Sequence, residues 1–220
     1  MFLCCGLLNV KGVLWLFFCF CRPYDFVRPA IMCIFAQIKR CNMENFLELL
    51  KKRRSCRRFT DEAVDKEAVA NIMRAALMSP SGHRINPWEF ILVEDKAMLK
   101  ALSAAKAAGA QLLEGAAMAV VVVADTLKSD VWIEDCSIAT ILMQLAAEEQ
   151  GLGSCWVQIR LRSDAEGNAA DENVRTLLGL PPHYAVLSIL GVGHKERESK
   201  PFDEEKMQWE KVHIEKYDAR

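Results

Sequence analysis

This 220-residue chain is short of several things at once, and each shortage closes off a class of function. Its 28 basic residues against 29 acidic ones leave a formal net charge of -1, without the basic excess that a general nucleic-acid binder carries over a whole face. Its four histidines (His83, His183, His194 and His213) show no paired spacing, and no CxxC accompanies them, so a structural zinc site is not expected. No G-x-S-x-G elbow is present to mark a serine nucleophile. Gly151-Leu152-Gly153 is half of a dinucleotide fingerprint, but it follows a helical pattern and precedes a strand pattern. The phosphate-binding motif needs the opposite order, so these glycines are read as a helix stop. No internal repeat and no linker divides the chain after Met43.

The first 42 residues stand apart. They hold six of the nine cysteines (Cys4, Cys5, Cys19, Cys21, Cys33 and Cys41) and show no helix or strand period. A membrane span needs about 20 apolar residues, but Lys11 interrupts the run and residues 13–21 are too few. A signal peptide would show a basic start and a small-residue cleavage site, and neither is evident. The favoured reading is an extension ahead of a start at Met43, where MENFLELLKKR opens an amphipathic helix. From Met43 onward there are 23 basic and 28 acidic residues, a net of -5, and three cysteines (Cys56, Cys136 and Cys155). That usage fits a reducing cytoplasm without a disulfide framework.

What is there is a regular alternation of helix and strand patterns. Apolar Phe46, Leu49 and Leu50 give a first helix. A second, capped by Thr60 or Asp61, buries Ala63, Val64, Val69, Ile72, Met73, Ala76 and Leu77 and ends at Ser79-Pro80. WEFILVED (residues 88–95) predicts a strand, and Ala-rich residues 96–114 predict a helix. AMAVVVVA (residues 117–124) is the clearest strand, β-branched and uncharged, as for one buried on both faces. Residues 133–150 form a long helix ended by Gly151, followed by a strand (SCWVQI), a helix (residues 172–178) and a last strand (AVLSILGVG). The class is α/β or α+β, with a central sheet covered on both sides. Residues 136–147 carry no charge, and a helix apolar all round must be buried all round, in a large core or against a second subunit.

Against the near-neutral background, six of the eight residues 51–58 (KKRRSCRR) are basic. Arginines with a serine on a turn between two helices offer bidentate donors, a hydroxyl and free backbone N–H groups to a phosphate. A solvated basic face balancing Asp61, Glu62 and Asp65 is the alternative, since exposed charge runs usually contribute little. A second loop, SPSGHRINP, supplies small polar donors (Ser81, Gly82, His83, Arg84 and Asn86) between two prolines. The two loops together suit a ligand with a phosphate tail and a polar, ribose-like middle.

RRSCRRF, PSGHRINPWEF, DCSIATILMQLAAEEQGLGSCWVQ and GVGHKERESKPF follow one another in the order and spacing that resembles the nitroreductase family of FMN-dependent oxidoreductases. The resemblance spans residues 43–217. It implies a homodimeric α+β fold, an α/β/α sandwich with a central mixed sheet, and two FMN sites in the dimer interface. NAD(P)H would be the co-substrate of a ping-pong reduction of nitroaromatics, quinones or similar electrophiles. By the same resemblance Arg53, Arg54, Ser55 and Arg57 would hold the FMN phosphate and ribityl chain, with Arg58 left to pair with a carboxylate. Pro80, Ser81, Gly82 and Asn86 would belong to a loop reaching the flavin of the partner subunit. Cys155, Trp156 and Gln158 would lie along the isoalloxazine, and Arg197 or Lys200 would reach the phosphate. Since the flavin carries the chemistry, no conventional catalytic residue, no metal, and neither a nucleic-acid nor a membrane partner is expected. The same scaffold also serves dehalogenation, flavin reduction, azoline dehydrogenation or flavin binding without turnover.

Overall fold

The computed structural model describes residues 46–217. The proposed extension, residues 1–42, lies outside the described residues. Helical residues 46–52 form α1 and lead into the basic segment. The chain then follows α2 (Lys66–Leu77), β1 (Trp88–Val93), α3 (Lys96–Ser103), β2 (Met118–Asp125), α4 (Trp132–Glu149), β3 (Leu152–Gln158), α5 (Ala170–Leu178) and β4 (Tyr184–His194). The four strands make one sheet in the order β1-β2-β4-β3. All its ladders are antiparallel. The mixed character expected of the sheet is confined to a parallel bridge between Ser55 and Ser154 at its β3 edge.

Three layers result, and the period-2 geometry of β2 explains them. Val120, Val122 and Ala124 face α2 and α4, packing against Ile72, Ala76, Cys136, Ala139 and Met143. Ala119, Val121 and Val123 face the other way, against Leu99 and Leu102 of α3 and Val174 of α5. Every residue of β2 is buried, as the uncharged run requires. A fully buried side chain such as Leu99 or Met143 contributes roughly 1.5–3 kcal/mol. Among the described residues no helix is long and apolar enough to cross a membrane.

Three local expectations are corrected. The cap of α2 is Asp65, whose carboxylate accepts from the Glu67 backbone N–H at 2.8 Å, and not Thr60 or Asp61. Thr60 instead donates its backbone N–H to the His194 carbonyl at 3.0 Å, so the chain cannot turn helical until it has left the sheet edge. The Ala-rich helix ends at Ser103 rather than running to residue 114. Ala107 gives its N–H to the Ser163 carbonyl, and Gly109 takes a left-handed φ of 82°. Tertiary bonding thus overrides alanine propensity. Finally, Gly151 does stop α4, with φ 75°, but Gly153 is a strand residue inside β3.

The α4 surface is only partly covered. Cys136, Ala139, Met143 and Ala147 are buried in the core. Ile138 and Ile141 are each 39% exposed, and half-buried Leu142 and Leu145 complete one apolar stripe at i, i+3, i+4 and i+7 spacing.

Candidate active site

The basic segment is stitched onto the sheet edge from both sides. Ser55 bridges Ser154, and the Cys56 N–H donates to the Ser154 carbonyl at 2.9 Å. On the other side Phe59 bridges Lys195, Glu196 donates its N–H to the Arg58 carbonyl, and Phe202 donates to the Lys51 carbonyl at 2.9 Å. This lays residues 195–202, which follow β4, alongside residues 51–58. Two glycines make room. Gly153 and Gly193 oppose each other across β3 and β4. A Cβ on Gly153 would stand 2.7 Å from the Cys56 Cβ and Sγ, and one on Gly193 would stand 3.0 Å from the Phe59 ring.

The walls enclose a cavity of about 720 Å³, lined by Arg53, Arg54, Ser55, Arg57, Arg197, Glu198, Ser199 and Lys200. Both late basic residues, Arg197 and Lys200, therefore reach it. The lone carboxylate on its wall, Glu198, is engaged by Lys195 at 3.2 Å. Among the described residues no ion pair forms on any of the five cations lining the cavity. Arg54 is steadied instead by the Phe202 ring, 5.9 Å away. Arg58 does not line this cavity but a smaller adjoining one, shared with Ser55, Arg57 and Arg197, and it lies 3.9 Å from Glu196, an exposed pair. Five cations with two hydroxyls, none of the cations in an ion pair among the described residues, make a site for a polyanion. The residues present thus fit the phosphate end of a nucleotide-like cofactor.

Behind this wall Cys155 is buried, and burial pushes its thiol above the ordinary value, opposed by the nearby Arg57 and Arg53 charges. Trp156 and Gln158 are tied to one another, Trp156 Nε1 donating to Gln158 Oε1 at 2.8 Å and Gln158 Nε2 to the Arg160 carbonyl at 3.0 Å. None of these three lines the arginine cavity. Nor does the Pro80–Asn86 loop, which packs on the start of α4. There the Gly82 N–H donates to Asp135 Oδ1 at 2.8 Å, and the Ser81 hydroxyl bonds both the Asn86 side chain and its N–H. His83, Arg84 and Asn86 all have left-handed φ values, near 50–58°. Within one chain the arginine site and this loop remain apart. Among the described residues no group of three or more His, Cys, Asp or Glu is placed to hold a metal.

Sequence reasoning missed the ion pair that anchors the site. Lys195 Nζ meets Glu148 Oε1 at 2.7 Å, with the side chains 10% and 6% exposed, and so ties the end of α4 to the cavity wall. Burial works against the Lys195 charge, but the hydrogen bonds to Glu148 and Glu198 outweigh it and hold the amine above its ordinary value. Nothing in the spacing of a lysine and a glutamate so far apart could announce the pair. Glu148→Ala should lower the unfolding free energy by about 3 kcal/mol, the lower end for a broken buried pair because Glu198 remains. Urea unfolding checks this, and an unchanged midpoint would show that the pair contributes nothing.

The family model for the nitroreductase family matches residues 50–132 and 104–194. The chain belongs to the nitroreductase family. An Archaeoglobus fulgidus relative, provisionally named NADH dehydrogenase/NAD(P)H nitroreductase, is 34% identical over 180 residues, covering 80% of this chain and all of the relative. The structure of an FMN-dependent nitroreductase from Clostridium difficile R20291 superposes with a TM-score of 0.76 at 41% identity, over 78% of this chain and 99% of that one. A provisionally named nitroreductase of Desulfovibrio desulfuricans, solved in complex with FMN, gives 0.63 at 26% identity, over 78% and 97% of the two chains. The nitroreductase fold and the four sequence segments that resemble the family therefore agree.

Proposed function

We propose that this nitroreductase-family chain is an NAD(P)H-dependent flavin oxidoreductase that holds FMN in the arginine cavity. The observation that carries the reading is the cavity's five cations, free of ion pairs, drawn from both ends of the described chain. Arg53, Arg54, Arg57, Arg197 and Lys200 would surround the phosphate, and the Ser55 and Ser199 hydroxyls would serve the ribityl end. Bound FMN would supply hydride transfer from the nicotinamide to an electrophilic acceptor such as a nitroaromatic or quinone. The buried thiol of Cys155 would back the ring rather than react, because a neutral thiol is a poor nucleophile. The working unit would be a homodimer through the Ile138–Leu145 stripe, which brings the Pro80–Asn86 loop of one protomer toward the cofactor of the other. The three cysteines among the described residues, Cys56, Cys136 and Cys155, are free, which suits a cytoplasmic setting.

The test is to purify the protein, look for bound yellow flavin, and follow NAD(P)H oxidation against a panel of nitroaromatics and quinones. A colourless protein whose flavin cannot be restored would sink the reading. Bound FMN without NAD(P)H oxidation would reduce it to a flavin-binding module. The same assay tests the extension: a chain beginning at Met43 should fold and bind FMN with unchanged affinity. Loss of folding in that shorter chain would show that residues 1–42 belong to the fold.

A further inference from the structure

A second cavity, of about 300 Å³, opens between the start of α4, the β3–α5 loop and the start of β4. It shares no lining residue with the arginine cavity. Trp132, Leu161, Ala185 and Val186 give it apolar walls, and Arg160, Arg162 and Asp171 give it charge. The carboxylate is already committed, since Asp171 Oδ1 accepts from the Val186 N–H at 2.5 Å and Oδ2 accepts from Arg175 Nε at 3.2 Å.

The two arginines are not committed. Among the described residues neither forms an ion pair. Arg160 lies 5.9 Å over the Trp132 ring, and Arg162 Nη1 donates only to the Leu161 carbonyl at 2.8 Å. Outside the lining, Lys106 donates to the Gln158 carbonyl at 3.0 Å, and burial, with the Arg162 charge behind it, holds its amine below the ordinary value.

The loop that carries the arginines is fixed in advance. Arg160 donates its N–H to the Leu187 carbonyl at 3.1 Å, Arg162 to Ile159 at 3.0 Å, and Ala170 to Arg162 at 2.8 Å. Leu161 between them is held at a left-handed φ of 56°, a conformation that persists only where its surroundings enforce it. Concave sites that are pre-formed, mostly apolar and equipped with a few convergent charged groups are the usual form of small-molecule sites. The volume is at the lower end for such sites, enough for one substituted ring and too little for a nucleotide.

We infer that this cavity binds a small aromatic carboxylate, with its ring against the apolar walls and its carboxylate taken by Arg160 and Arg162. The site stands independently of the flavin reading. It is nevertheless joined to Trp156 and Gln158 through the hydrogen bond from Gln158 Nε2 to the Arg160 carbonyl.

The experiment is calorimetric titration of the purified protein with benzoate, which carries no group for the proposed flavin site to reduce, with benzamide as the uncharged control and inorganic phosphate as the control for a bare anion. Benzoate should bind at least about tenfold tighter than benzamide, as one charge-assisted contact implies. Arg162→Gln and Arg160→Gln should each remove about tenfold of that affinity while leaving the melting temperature and the flavin content as in the wild type. Arg162 is exposed, so its variant tests the site even if Arg160→Gln disturbs the Trp132 contact. The proposal falls if benzamide binds as tightly as benzoate, if both variants keep wild-type affinity, or if phosphate alone displaces the probe equally well. Flavin content, read separately by absorbance, reports on the proposed function and not on this site.

Discussion

Arg53→Ala should weaken FMN binding by about ten- to a hundredfold, because a charge-assisted bond to phosphate contributes roughly 1.5–3 kcal/mol and each 1.4 kcal/mol is about tenfold in affinity. Arg53 lines the cavity with four other cations and has no carboxylate partner to release among the described residues. Its loss therefore removes attraction for the ligand without freeing a buried charge in the protein. Riboflavin, which has no phosphate, should bind the wild type poorly. The decisive quantity is the ratio of the two affinities, measured by flavin fluorescence quenching in wild type and variant. The variant should discriminate less between FMN and riboflavin. If both affinities fall by the same factor, Arg53 is not reading phosphate, and the basic segment is a solvated face after all.

A charge placed on the open stripe of α4 should have a still larger effect. Ile141 is among the exposed residues of a helix without a charge between Cys136 and Ala147. Burying an unpaired carboxylate in an interface costs several kcal/mol. Ile141→Glu should thus convert a dimer into a monomer at micromolar concentration and strip it of flavin, while leaving the far-ultraviolet circular dichroism unchanged. Light scattering with simultaneous flavin absorbance reads both. A flavin-loaded monomer, or a dimer that survives the substitution, would overturn the homodimer assignment. Ala139 would be the wrong place for this test despite its position in the middle of the uncharged run. It is fully buried inside the protomer, and a charge there would damage the core instead.

The contrast between Ala139 and Ile141 shows where the sequence was legible. Its uncharged run announced a helix needing cover, but not which face the protomer covers for itself, since apolar residues surround the helix axis. The doubly buried β2 was readable from composition alone, because few other arrangements tolerate an uncharged, valine-rich run like that of residues 117–124. Helix starts and stops were less so. The Asp65 cap and the early end of α3 depend on bonds to His194 and Ser163, partners distant in sequence. At the site, the arginines and Ser55 could be found by charge density, and Arg197 and Lys200 only through the family resemblance, yet the structure places all of them on one cavity. Gly153 had a visible signal, a glycine in a strand pattern, which commonly marks a close backbone approach. Its neighbour Gly151, two residues earlier, masks that signal by ending the helix. The Glu148–Lys195 pair had no signal at all.

The hydrogen bond from Phe202 to Lys51, and the bridge from Lys195 to Phe59, have a consequence for biosynthesis. The arginine motif emerges from the ribosome well before its other wall, which is made only after β4. Until β4 and the residues after it have been released, the arginines face solvent with nothing opposite them. Pairing of such distant segments is intrinsically slow, and N-terminal parts of a chain are generally made and organised first. Cofactor loading would therefore wait until β4 and the residues that follow it are in place. A ligand bound only by the finished fold also stabilises it by mass action, so cellular FMN supply would set how long the newly made protein survives.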